Sequence, residues 1–113
     1  MIRFIPETGS TNADLAARLS AGEAVPEGEW LVADRQSAGR GRQGRTWFDG
    51  VGNFMGSTVV RPGPGDPPTG TLALVAGLAV HEAVAPLIAP PHRAMLKWPN
   101  DVMIGAAKLC GIL

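Results

Sequence analysis

Apolar positions change period several times along the 113-residue chain, and each change marks an element. Residues 1–5 alternate weakly and then meet Pro6, which lacks an amide donor, so a short opening strand is expected to stop there. Leu15, Ala16 and Leu19 recur at helical spacing behind Thr11 and Asp14, a capping-box pair, and Gly22 closes that helix. Residues 29–36 alternate again, with Trp30, Val32 and Asp34 on one face and Leu31 and Ala33 on the other. A glycine- and arginine-rich loop follows, and residues 53–60 form a further strand carrying Phe54, Met55, Val59 and Val60. The Gly/Pro-rich stretch 62–68 reads as a loop within one domain. A long helix then runs from Thr69 or Thr71 to about Ile88, with Leu72, Val75, Ala76, Ala79, Val80, Ala83, Val84 and Leu87 forming its apolar face and Gly77 allowing close packing on a sheet. Three short strands, 95–98, 102–104 and 108–113, end the chain, the last two joined at Gly105. Helices and strands in this order imply an α/β or α+β fold, a mixed β-sheet backed by helices.

Composition narrows the class. Hydrophobic residues make up 45% of the chain, enough for a core, and 15 Gly with 10 Pro make it loop-rich. A lone Cys110 permits no internal disulfide, and the longest apolar run, 72–80, is half the roughly twenty residues of a membrane span. A soluble, cytoplasmic protein with no membrane partner is expected. Ten basic and ten acidic residues cancel, which excludes a globally basic nucleic-acid binder. The cancellation is uneven: Arg35, Arg40, Arg42 and Arg45 fall in one acid-free window of charge +4.

That window holds Gly39-Arg40-Gly41-Arg42-Gln43-Gly44, formally a dinucleotide fingerprint. Its context is wrong, because Arg45-Thr46-Trp47-Phe48-Asp49-Gly50 leads into aromatic and turn residues where a phosphate-binding helix should begin. What remains is a flexible backbone bearing guanidinium forks, suited to phosphate or carboxylate and expected to order around an anion. Trp47 suits either base stacking or anchoring, and Phe48 is expected in the core. Ser10, Thr11 and Asn12 are helix-capping types whose amides and hydroxyls also suit a neutral polar ring. Lys97-Trp98-Pro99-Asn100-Asp101 reads as a strand end followed by a turn, with Trp98 extended before proline. His81 and His92 lack acidic or cysteine companions at ligand spacing, so no protein metal centre is predicted.

Three motifs in order, Gly9-Ser10-Thr11-Asn12, Gly39 to Arg45 with Thr46-Trp47 behind it, and Lys97 to Asp101 followed by Lys108-Leu109-Cys110-Gly111-Ile112-Leu113, resemble the biotin protein ligases. The resemblance covers the whole chain. It implies a fold related to class II aminoacyl-tRNA synthetases and the N-terminal portion of a catalytic domain over residues 1–113, truncated at its C-terminus. It implies no N-terminal DNA-binding domain, since Met1 precedes the first motif by only eight residues. The implied reaction joins biotin and ATP, with Mg²⁺, into biotinyl-5′-adenylate and then biotinylates a lysine of a biotin carboxyl carrier domain. No DNA partner is expected, and a homodimer is left open.

By the same resemblance Ser10, Thr11, Asn12, Gln36, Gly39, Arg40 and Lys108 bind biotin, and Arg42, Arg45, Trp47, Asn100 and Asp101 bind ATP. Lys108, Arg40 and Arg42 are the catalytic set. Two anions about 4 Å apart at an effective dielectric of ~20 repel by roughly 4 kcal/mol, which cations placed in advance would offset. The substrate carboxylate is itself the nucleophile, so positioning and electrostatics carry the catalysis. Asn100 is expected by adenine and Asp101 by metal or ribose. Cys110 is expected to be a small buried residue. Two other readings remain at this stage: a lipoate-type ligase of the same fold, and a non-catalytic anion or nucleic-acid binding module using the +4 loop. The isolated 113-residue piece is also open to being inactive.

Overall fold

The computed structural model describes all residues, Met1–Leu113. Two compact units divide within the Gly/Pro-rich connection, Met1–Pro62 and Gly63–Leu113, and the architecture is α+β in each.

The first unit is built from β1 (Ile2–Thr8), α1 (Thr11–Ser20), β2 (Trp30–Gln36) and β3 (Met55–Thr58). Its sheet has the order β1-β2-β3, with β1 parallel and β3 antiparallel to β2. Contrary to expectation β1 runs through Pro6. The reason is its edge position: the register passes from Ile5 opposite Ala33 to Glu7 opposite Arg35, and Pro6, between them, has no partner residue. Helix α1 packs on β2 and β3. Leu15, Val25, Leu31 and Val59 form the buried cluster, with Ile5 against it, and covering a Leu or Val this fully stabilises by roughly 1.5–3 kcal/mol each. The helix begins one residue earlier than the capping box implied. Ser10, in extended geometry, is the N-cap and accepts from the Ala13 N–H at 3.2 Å, while Asp14 accepts from the Thr8 hydroxyl.

In the second unit α2 (Leu72–Val84) is continued at both ends by single 3₁₀ turns, Thr69–Thr71 and Ala85–Leu87. An antiparallel meander follows: β4 (Ala94–Lys97), β5 (Asp101–Ile104) and β6 (Ala107–Gly111). The strands therefore form two three-stranded sheets, one mixed and one antiparallel, where a single mixed sheet was expected. Gly105 has a φ of +57° at the β5–β6 turn, where Ile104 pairs with Ala107.

Helix α2 lies on β4 and β5 through Gly77, its buried residue. A Cβ placed there would touch Leu96 and Ile112 at 3.7 and 3.6 Å, so the close approach is real. The covered stripe differs from the predicted face, however: Ala73, Ala76, Gly77, Val80 and Val84 are at least partly covered, whereas Leu72, Val75, Ala79, Ala83 and Leu87 are exposed. The helix is apolar around its circumference, so periodicity had no polar face to steer by. For the same reason the 19 residues Thr69–Leu87 are long and apolar enough to cross a membrane by length and composition, although the longest uninterrupted run is shorter. His81 on this helix donates from Nε2 to the Ala94 carbonyl at 2.9 Å, and Val102 at the centre of β5 is completely buried.

Candidate functional site

At the N-terminus of α1, three segments distant in sequence meet in one hydrogen-bonded cluster. Thr11 is 2% exposed, and both its N–H and its hydroxyl donate to Gln36 Oε1, at 2.8 and 3.0 Å. The Thr11 hydroxyl has only one hydrogen, so the 2.8 Å contact with Ser57 has Ser57 donating. The same bonds orient the Gln36 amide: with Oε1 toward two donors, its NH₂ turns to Gly39, 3.0 Å from where a Cβ would sit. Trp47 lies 3.5 Å from the same point, so a side chain at this position would be crowded by both, which explains glycine there sterically. Thr11, Gln36 and Gly39 are thus brought together. Ser10 is buried beside them as the helix cap, and Asn12 is exposed on the first turn.

The Gly/Arg loop rises from the end of β2 as a narrow hairpin. Trp47 N–H donates to Gly39 O at 3.0 Å, Gly41 N–H donates to Arg45 O at 2.6 Å, and Arg40 bridges to Thr46. Its tip is a single 3₁₀ turn, Arg42–Gly44, with Gln43 and Gly44 at φ of 60° and 71°, and no long helix follows. The dinucleotide reading fails on this geometry. The glycines allow the tight tip, and Arg40, Arg42 and Arg45 project from it exposed, Arg45 reaching Gln43 Oε1 at 3.5 Å.

Trp47 is half-buried, but Phe48 is 81% exposed and does not join the core as expected. Phe48 lies past the outgoing stem of the hairpin and lines an open surface instead. An open cleft of about 500 Å³ lies along this stem, lined by Arg35, Gln36, Trp47, Phe48 and Asp49 among others.

Asp49 was missed by the sequence reasoning. Its carboxylate takes Arg35 Nε at 2.8 Å and Nη2 at 3.3 Å, and also the Gln36 N–H at 3.0 Å. The Arg35 hydrogen bond holds the Asp49 carboxyl below the usual carboxylate range, assisted by the Gln36 N–H and opposed by desolvation. Ser57 was missed as well. The only sequence signal for it was a hydroxyl on a strand face otherwise apolar.

In the second unit the residues expected to bind nucleotide and carboxylate are held to one another. Lys108 Nζ lies 3.2 Å from Asp101 Oδ2, with the carboxylate largely covered and the lysine half-exposed. A bulge at Val102/Met103 interrupts the β5–β6 register between them. Asn100 donates from Nδ2 to the Ile112 carbonyl at 2.7 Å, and its own carbonyl accepts from the Ile112 N–H at 2.9 Å. Its amide therefore ties down the last strand. Trp98 stands 77% exposed on the β4–β5 turn, and the Trp98–Pro99 peptide is cis. Cys110 is half-buried, and burial, then the Asp101 carboxylate, push its thiol pKa up, away from nucleophilic reactivity.

The model of the biotin/lipoate A/B protein ligase family matches residues 4–113. The chain belongs to this family. Within it, 97% of the chain is 41% identical to the biotin–acetyl-CoA-carboxylase ligase of Paracoccus denitrificans, and 96% is 49% identical to that of Mycobacterium tuberculosis. These alignments cover 45% and 42% of the two relatives, so the chain spans less than half their length. Among solved structures, the biotin protein ligase of Aquifex aeolicus in complex with biotin and ATP superposes on 99% of the chain with a TM-score of 0.82 at 37% identity, over 45% of its own length. The biotin/lipoate ligase fold expected from the motifs is therefore present.

Proposed function

We propose that this chain supplies the biotin- and nucleotide-binding part of a cytoplasmic ligase that joins biotin to ATP as biotinyl-5′-adenylate and passes the biotinyl group to a lysine of a carboxyl carrier domain. The observation that carries the reading is the Thr11–Gln36 cluster at the stem of the Gly/Arg hairpin. It is a hydrogen-bonded polar cluster, centred on the buried Thr11, beside the exposed arginines of the hairpin, in a chain similar to ligases with biotin and ATP bound.

In this reading the Gln36 amide, Thr11 and Ser10 face the neutral ureido ring, whose donors and acceptor match an amide and hydroxyls. Gly39 lets the backbone approach, and Asn12 adds a further amide at the helix start. Arg40 and Arg42 enclose the adenylate phosphate, Arg45 takes the more distant phosphates, and Trp47 offers an aromatic face. Lys108 draws in the biotin carboxylate. The Asp101 carboxylate, 3.2 Å from the Lys108 ammonium, orients it. Asp101 would also be the hard oxygen donor for Mg²⁺, which would neutralise charge on the phosphates. The role of Asn100 is to fix the turn that carries Asp101, and any contact with adenine would use its Oδ1.

Biotin-dependent pyrophosphate release from MgATP tests this. The expected result is release with biotin, little with lipoic acid, and a fall of about 10²–10³ in Lys108→Ala, the usual cost of one charge-stabilising donor. Equal release with lipoate, or an unchanged Lys108→Ala rate, would overturn it.

A further inference from the structure

Gln36 is fixed twice, and the second fixing point lies in the loop. Its side chain is oriented by Thr11, while its backbone N–H donates to Asp49 Oδ2 at 3.0 Å. Asp49 follows Trp47 by two residues, on the far side of the Gly/Arg hairpin, and Trp47 is itself bonded across to Gly39. Arg35 orients the Asp49 carboxylate through two hydrogen bonds, one to each oxygen. Glu7 stands opposite Arg35 in the β1–β2 register and attracts it electrostatically, yet the hydrogen bonds go to Asp49. The carboxylate therefore joins the hairpin's outgoing stem to the residue that presents an amide to the site.

We propose that Asp49, oriented by Arg35, is a positioning residue for biotin: it couples the Gly/Arg hairpin to Gln36, so that the amide is in place only when the hairpin stem is seated. This rests on the ligase reading above. It differs from a plain structural brace because Asp49 acts on the residue that touches ligand. A brace would alter stability and leave affinity alone.

Calorimetric titration of biotin into the full chain and its variants, with urea midpoints recorded alongside, tests the proposal. Asp49→Ala is expected to raise the biotin Kd about tenfold, on top of a modest drop in midpoint from the lost ion pair, the effect of losing a charge-assisted anchor. Asp49→Asn, which keeps an acceptor for the Gln36 N–H, and Arg35→Met, which keeps the carboxylate, should each raise it about threefold. Asp49→Ala binding biotin within twofold of the unmodified chain overturns the proposal. Should Asp49→Ala not fold by circular dichroism, the other two variants decide, and unchanged affinity in both overturns it. Absence of biotin binding by the unmodified chain is a different outcome, which overturns the ligase reading and this proposal with it.

Discussion

Replacing Thr11 by Val removes one hydroxyl from the centre of the first unit while keeping the side-chain shape. Thr11 is 2% exposed, so water does not replace the lost group readily. Two bonds disappear, the 3.0 Å donation to Gln36 Oε1 and the 2.8 Å acceptance from Ser57. Gln36 Oε1 keeps the Thr11 N–H, but the Ser57 hydroxyl loses its acceptor. A buried polar group left unpaired costs about 1–3 kcal/mol, and Ser57 is only half-buried, so the lower part of that range applies and the expected loss is ~1.5 kcal/mol. Ser57→Ala alone leaves Thr11 donating to Gln36 and should cost about 0.5–1 kcal/mol. In the double variant no orphaned donor remains. Its cost should therefore fall short of the sum of the two by ~1 kcal/mol. Urea unfolding of all four proteins, compared at constant slope, measures this coupling. Additivity within about 0.3 kcal/mol would refute the bonding scheme deduced here, including the direction of the Ser57 bond.

Two further outcomes follow from the packing and the charges. Val102→Ala, in the completely buried centre of β5, should destabilise by about 2 kcal/mol through lost burial and the cavity left behind, and a urea-derived loss below ~0.5 kcal/mol would show that the second unit has no core there. Asp49 has its carboxyl pKa depressed in the fold, so its contribution is complete above the ordinary value of 3.8 and is lost as pH falls through the lower folded value. The urea midpoint should accordingly drop with acid more steeply in the parent than in Arg35→Met, and parallel profiles would count against the ion pair.

Much of the chemistry was legible because it is local. Glycine and arginine alternating over 39–45 announce a flexible cationic loop in any context, and Ser10-Thr11-Asn12 announces a helix start. Thr11 and Gln36 were separately marked, and the fold joins them. Lys108 and Asp101 were marked for different ligand groups, and the fold pairs them with each other. Asp49 and Ser57 carried no local signature, since an Asp before Gly reads as a turn and a Ser on a strand as an ordinary polar position. Their meaning arises only from partners 13 and 46 residues away.

By itself the amino-acid order determined the succession of helices and strands, the place of the glycine- and arginine-rich loop and the family, because periodicity, capping and glycine placement act over a few residues. Only tertiary structure decided that β1 continues through Pro6, that the strands divide into two sheets, and which stripe of α2 is covered. An edge strand tolerates a missing N–H that a central one does not, and a helix apolar on every side takes its buried face from whatever packs against it. Pairing between distant segments costs chain entropy and is repaid by contacts that no short window of sequence contains.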